Sequence, residues 1–316
     1  MKILKPFCLS IALLLAISGC VPPAGTAQTA EPASPVPPSQ APLPTSTPMP
    51  TAAPTVKPLT ESELRNMEYT LPVSHKTVKL TDGKYQSGSG EEFLAVQMAD
   101  PIGFGDVDGD GIADAGVVLG ENTGGSGTFE SLIAVLNRGG VPQQDSSVQL
   151  GDRVQVQSIT IPDGRIAVEM ITHGPQDPMC CPSQPVKEWF RLTQGGLFLD
   201  ELVSQAANGV KRSIQIDKPA AGDQVGSTIQ LTGSETVAPF ENNLVYRVYD
   251  ETNQQLGEGS ITAKSEGTGG PVTFDAAVNL PTIPPGKEFW VSVMDLSAKD
   301  GSTLAQASVR LVSQQQ

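Results

Sequence analysis

The chain is poor in the residue types from which most catalytic sites are built. Only two histidines, His75 and His173, stand among 316 residues. No G-x-S-x-G elbow, H-E-x-x-H pair or glycine-rich phosphate loop occurs. Basic residues are outnumbered, with 20 Lys and Arg against 34 Asp and Glu, for a net charge of −14. Phosphate backbones are gripped by a basic face, so this balance argues against a nucleic-acid partner. It argues equally against electrostatic adhesion to anionic lipid heads, and suits divalent cations or a basic partner. Aromatics make up 5%, and helical periodicity is nearly absent. Gly and Pro are plentiful, at 32 and 27. Short apolar runs divided by such turn residues point to a mostly β fold.

Long hydrophobic runs are missing as well. The longest, from Phe7 to Ile17, falls short of the ~20 residues that span a bilayer. With Lys2 and Lys5 before it, the run has the layout of a secretory leader. Its end, Ile17-Ser18-Gly19-Cys20, resembles the lipobox of bacterial lipoproteins. The resemblance implies cleavage before Cys20 and acylation of that cysteine, with diacylglycerol on its sulfur and palmitate-type chains. The expected result is an extracytoplasmic protein, lipid-anchored to the bacterial cell membrane or outer membrane. Losing Lys2 and Lys5 would make the mature chain two units more negative. From Val21 to about Lys57 the sequence is Pro, Ala, Thr and Ser with almost nothing to bury, which predicts a disordered, extended stalk. The organisation expected is a leader over 1–19, a lipidated cysteine and stalk over 20–58, an antiparallel β domain over 59–205 and an immunoglobulin-like domain over 212–316.

In the first β domain, Thr60-Glu-Ser-Glu63 has the form of a capping box that opens a short helix to about Met67. Asp106-Val-Asp108-Gly-Asp110-Gly111-Ile112-Ala-Asp114 has the spacing of the first nine positions of a calcium loop. Carboxylates of Asp106, Asp108 and Asp110 would converge on one structural calcium ion. The Ile112 carbonyl and Asp114 would complete the set, and Gly111 would permit the sharp turn. The twelfth position is Val117, so the bidentate Glu of an EF-hand is absent. The stretch Gly103-Phe104-Gly105 through Gly120 resembles instead an FG-GAP repeat, in which such a loop joins two strands. There is one copy only, so the resemblance covers a hairpin and does not carry a propeller.

Once the leader is removed and Cys20 acylated, Cys180 and Cys181 are the only free thiols left. They are compatible with a vicinal disulfide, with reduced or intermolecular cysteines, or with a metal site that uses His173 and His75.

Seven short β runs follow Gly209, the count for an immunoglobulin-like sandwich without its cysteine pair. Ile216-Asp-Lys-Pro219, Leu231-Thr-Gly233, Pro239-Phe-Glu-Asn-Asn-Leu244 and Ser297-Ala-Lys-Asp-Gly301 resemble, in order, the Gmad2 family of spore-germination immunoglobulin-like domains. The resemblance implies an extracytoplasmic sandwich without catalytic residues. No GerMN domain, the companion of Gmad2 in germination proteins, is found. Phe240-Glu241-Asn242 reads as a turn with Phe240 entering the core. Trp290 sits between Phe289 and Val291 on an alternating strand, so one face must point outward.

The function expected is a non-catalytic binding, adhesion or structural role at the envelope. The partner would be cell-wall polysaccharide or an envelope protein, and the membrane would be met only through the anchor. The alternatives are an envelope-polymer hydrolase, for which carboxylate pairs remain available, and a germination-related surface protein.

Overall fold

The structure is a computed structural model that describes residues 56–314 apart from 207, 266 and 268. The leader, Cys20 and nearly all of the stalk lie outside the described residues. Residues 56–58, read with the stalk, belong to the folded unit: the Lys57 carbonyl accepts a hydrogen bond from Asn137 at 3.0 Å.

Helix α1, Glu61–Leu64, is shorter than expected but carries the expected box: Thr60 Oγ1 accepts from Glu63 N, and Glu63 Oε2 accepts from Thr60 N. The chain then runs through β1 (Glu68–Thr70), β2 (Thr77–Lys79), β3 (Lys84–Ser87), β4 (Leu94–Met98), β5 (Gly103–Gly105), β6 (Asp114–Asn122), β7 (Phe129–Asn137) and β8 (Pro142–Asp152). Strands β3 to β8 make one sheet in the order β3-β4-β6-β7-β8, with β5 also pairing with β6. Its central strands are buried along almost their whole length. Ile133 and Val135 face one core beneath α1 and the β1–β2 hairpin, while Leu132, Ala134 and Leu136 face a second. A strand covered on both sides must be apolar at successive positions, and Ser131–Asn137 is such a run.

The second core is closed by β9 (Gln155–Thr160), β10 (Arg165–Thr172), β11 (Gln184–Thr193) and β12 (Gly196–Gln205). Pro162-Asp-Gly164 and Gln194-Gly-Gly196, both with the composition of turns, join antiparallel neighbours. A short β13 (Lys211–Arg212) then pairs with β12.

The C-terminal sandwich consists of β14 (Ile214–Lys218), β15 (Gln224–Val225), β16 (Thr228–Glu235), β17 (Asn243–Asp250), β18 (Gln255–Thr262), β19 (Lys264–Ser265), β20 (Val272–Asn279), β21 (Glu288–Leu296) and β22 (Thr303–Ser313). One sheet has the order β14-β16-β20-β19, and the other contains β18-β17-β21-β22. Between them lies a core that includes Leu231, Leu244, Phe274, Phe289 and Leu311.

This second sheet does not end with the sandwich. β22 pairs with β12 at Glu201–Ala307 and Leu202–Gln306, so one sheet passes from the N-terminal strands into the C-terminal ones. Ser204 Oγ donates to the Leu304 carbonyl and Gln306 Nε2 to the Leu199 carbonyl, both at 2.5 Å. Phe198 packs against Tyr249 and Trp290 with ring centroids 5.3 and 5.8 Å apart. Trp290 is therefore only 4% exposed. Its strand has no outward face here: Phe289 and Val291 fill the sandwich core, and Trp290 fills the junction. Gly195 belongs to the same junction, since a Cβ there would lie 2.1 Å from the Thr252 carbonyl oxygen.

Candidate functional site

The acidic loop lies between β5 and β6. Gly103 and Gly105 let β5 lie against β9, because a Cβ on either would come within 2.7 Å of Ile159 or Ile161. Gly111 has φ +83°, a conformation that a side chain would strain. The loop is woven by its own carboxylates. Asp106 accepts from Gly109 N at 2.7 Å and from Gly111 N at 2.8 Å. Asp114 is buried and accepts from Val107 N at 2.9 Å and Asn137 N at 2.8 Å, so it ties the loop to the end of β7. Burial raises its pKa against the lowering effect of those two N–H donors.

Asp106, Asp108 and Asp114 each bring one oxygen within 4.8 Å of the others. Calcium–oxygen distances of ~2.3–2.6 Å allow ligands up to about 5 Å apart across the ion, so this spacing fits. Asp110 lies outside that group and accepts from Ile112 N at 2.8 Å. One protein cation is already present: Arg138 donates to Asp108 Oδ2 at 2.7 Å. Three converging carboxylates with one guanidinium on Asp108 leave a surplus of negative charge for a divalent ion to offset. Among the described residues, no other set of three or more His, Cys, Asp or Glu side chains is gathered this way.

Cys180 and Cys181 are joined and exposed at the tip of the β10–β11 loop. His173 sits at the base of that loop, its Nε2 buried without a partner, while His75 is exposed in the β1–β2 turn. Neither histidine is brought together with the cysteines in a ligand group.

Three acids that the sequence did not single out have their carboxyls drawn into the folded chain: Glu235 is buried, and Glu188 and Glu130 are half-buried. Glu188 pairs across the sheet with Val168 and Leu202, both core residues, so it shares their face. Burial pushes its carboxyl up to about 8. Glu130, on the core face of β7, is pushed up to about 7 by burial and then by nearby Asp152. A raised pKa means stability that is complete below about 4.5 and is lost as pH climbs through the folded value. Glu188→Leu is therefore expected to stabilise the protein by about 1–3 kcal/mol at pH 8 and by far less at pH 5. Urea midpoints at the two pH values would measure this.

The third acid, Glu235, ends β16 and meets Asp295 of β21 and Arg212 of β13. Both carboxyls are at most 1% exposed. Arg212 Nη1 pairs with Asp295 Oδ2 and lies 4.0 Å from Glu235 Oε1. Three carboxyl oxygens of this cluster have no hydrogen-bond partner. Burial, and then the Asp295 charge, hold Glu235 well above the usual carboxylate range.

The Phe240 turn departs from expectation. Glu241 and Asn242 both adopt φ +54°, and Phe240 points outward, 63% exposed, rather than into the core. Two successive left-handed non-glycine residues impose a local cost that the packing around the turn must offset.

The sandwich geometry and its ordered motifs agree with comparison to known families, where residues 213–302 match the model described as the immunoglobulin-like domain of bacterial spore germination. Residues 213–302 form a Gmad2 domain. That description fits a non-catalytic or germination-related surface role. The match stops at residue 302, just before β22, the strand that joins the Gmad2 domain to β12. No curated protein matches the chain.

Proposed function

We propose that this chain is an exported, lipid-anchored envelope protein in which the N-terminal β unit and the Gmad2 domain act as one non-catalytic binding body. The Gmad2 domain carries the reading. The lipobox resemblance at Cys20 supports the anchor, and the Pro-rich segment after it would set the reach from the membrane. Calcium would be held by Asp106, Asp108 and Asp114, stabilising the β5–β6 loop against the mutual repulsion of its acids. The ligand proposed is cell-wall polysaccharide or an envelope protein, and the exposed Phe240 turn is the contact surface proposed for it. The family description favours a germination-related surface role as the second reading.

The test is retention of purified 56–316 on peptidoglycan and wall polysaccharide, with and without EGTA. Wild type should be retained and Phe240→Ala should not, while Phe240→Ala keeps its stability to within about 0.5 kcal/mol because the side chain is at the surface. No retention of wild type on either polymer counts against the polysaccharide ligand, and turnover of the polymer counts for a hydrolase. Calcium should raise the melting temperature, and Asp106→Asn should remove the rise. A wild type indifferent to calcium would exclude the metal.

A further inference from the structure

We propose that Cys180–Cys181 is a thiol-exchange site: a dithiol reductant opens it and frees the tip of the loop that walls the cleft between the N-terminal strands and the Gmad2 domain. Both cysteines are exposed, and Met179 beside them is 77% exposed, so an attacking thiolate has a clear approach. The loop's base and tip are held by different means. At the base, Asp177 accepts from Gly174 N at 2.8 Å, Ser183 N at 2.7 Å and Ser183 Oγ at 2.7 Å. Lys299 of the Gmad2 domain donates to the Pro175 carbonyl. At the tip, Arg153 donates to the Met179 carbonyl at 2.5 Å, and Cys181 N donates to the Pro178 carbonyl at 3.0 Å. The covalent ring removes backbone freedom from residues 180 and 181 and presents that carbonyl to Arg153. Opening the ring returns this freedom to the tip and leaves the base closed.

The cleft beside this loop has a volume of about 490 Å³. Pro175, Asp177 and Ser183 form one wall, and Gln205, Arg212 and Leu304 face them. The cleft wall at Pro175, Asp177 and Ser183 belongs to the held base, so reduction loosens the tip beside the cleft while the lining keeps its place.

The exchange balances without another co-reactant. One thiolate of the dithiol attacks an exposed cysteine sulfur, the Cys180–Cys181 bond breaks, and the departing sulfur leaves as a thiolate and takes up a proton. The second thiol of the reductant then attacks the mixed disulfide, and the other cysteine leaves as a thiol. Two electrons and two protons pass to the cysteines, and the reductant becomes a disulfide.

Dithiothreitol is the probe, applied to the full chain purified under non-reducing conditions. The peptide that spans Cys180 and Cys181 should take two iodoacetamide labels after dithiothreitol and none before it. Amide exchange over 178–182 should rise at least tenfold on reduction, while peptides from β21 remain unchanged. The Cys180→Ser/Cys181→Ser variant should show the fast exchange with or without reductant. Labelling of both cysteines without dithiothreitol would overturn the proposal, as would an exchange rate over 178–182 that changes less than twofold on reduction.

Discussion

Arg212→Met should cost about 3–5 kcal/mol of stability at neutral pH, the usual result of removing one partner from a buried charged cluster. Arg212 comes from the connector strand β13, and it is the cation that meets Asp295 and lies nearest Glu235. Without it, two carboxyls remain in a buried site, and Asp295 Oδ2 joins the three oxygens already without a partner. Acid conditions that neutralise carboxyl groups should reduce the loss, so the variant should recover towards wild type near pH 5. Urea unfolding at pH 5 and pH 8 separates this from a simple packing defect, which would cost the same at both. Glu235→Gln provides the converse. Because the folded pKa of Glu235 is raised, its contribution is complete below about 4.5 and declines as pH rises. The Gln variant lacks this decline and should gain on wild type at pH 8.

The second large effect is expected at Trp290. Trp290→Ala should cost about 3–5 kcal/mol, the range for truncating a large buried aromatic. The loss should fall on the junction rather than on the sandwich itself, because the Trp290 side chain packs on Phe198 while Phe289 and Val291 hold the Gmad2 core. The described residues form one compact unit, so wild type should melt in a single calorimetric transition. The variant should melt in two, the lower belonging to the less stable half. One transition shifted uniformly downward would mean that Trp290 supports the sandwich instead.

Much of the architecture was legible because β patterning is local. The Thr60–Glu63 box closes as read, and the acidic run 106–114 follows β5 and leads into β6 as the hairpin resemblance implies. What was missed has an equally physical origin. β8, Pro142–Asp152, is polar apart from Val148 and Leu150 and has no fully buried residue, so its hydrophobic signal is weak and the ladder offered by β7 does much to make it a strand. β5, Gly-Phe-Gly, was legible only through the FG-GAP resemblance, because three residues carry no pattern of their own and its place depends on close approach to β9.

The candidate sites divide in the same way. The acidic loop was visible because its residues lie within nine positions of one another. Asp110 lies outside the converging group, its Oδ1 turned to Ile112 N, and the spacing alone does not show this. The Glu235–Asp295–Arg212 cluster could not be read from the chain at all. Its members are separated by 83 residues at the widest pair and meet only when β13, β16 and β21 assemble. Phe240 shows the limit most plainly: an apolar residue in a turn is expected to enter the core, yet two left-handed residues behind it turn it outward.

The sequence by itself determined the β class, the Gmad2 motifs, the acidic loop and the adjacent cysteines, since each is written in neighbouring residues. Only the tertiary structure decided that Trp290 is buried, that Arg212 answers two distant acids, and that the Gmad2 domain shares a sheet with the strands before it. These outcomes depend on which surfaces meet. A strand's periodicity records how many of its faces are covered, not what covers them.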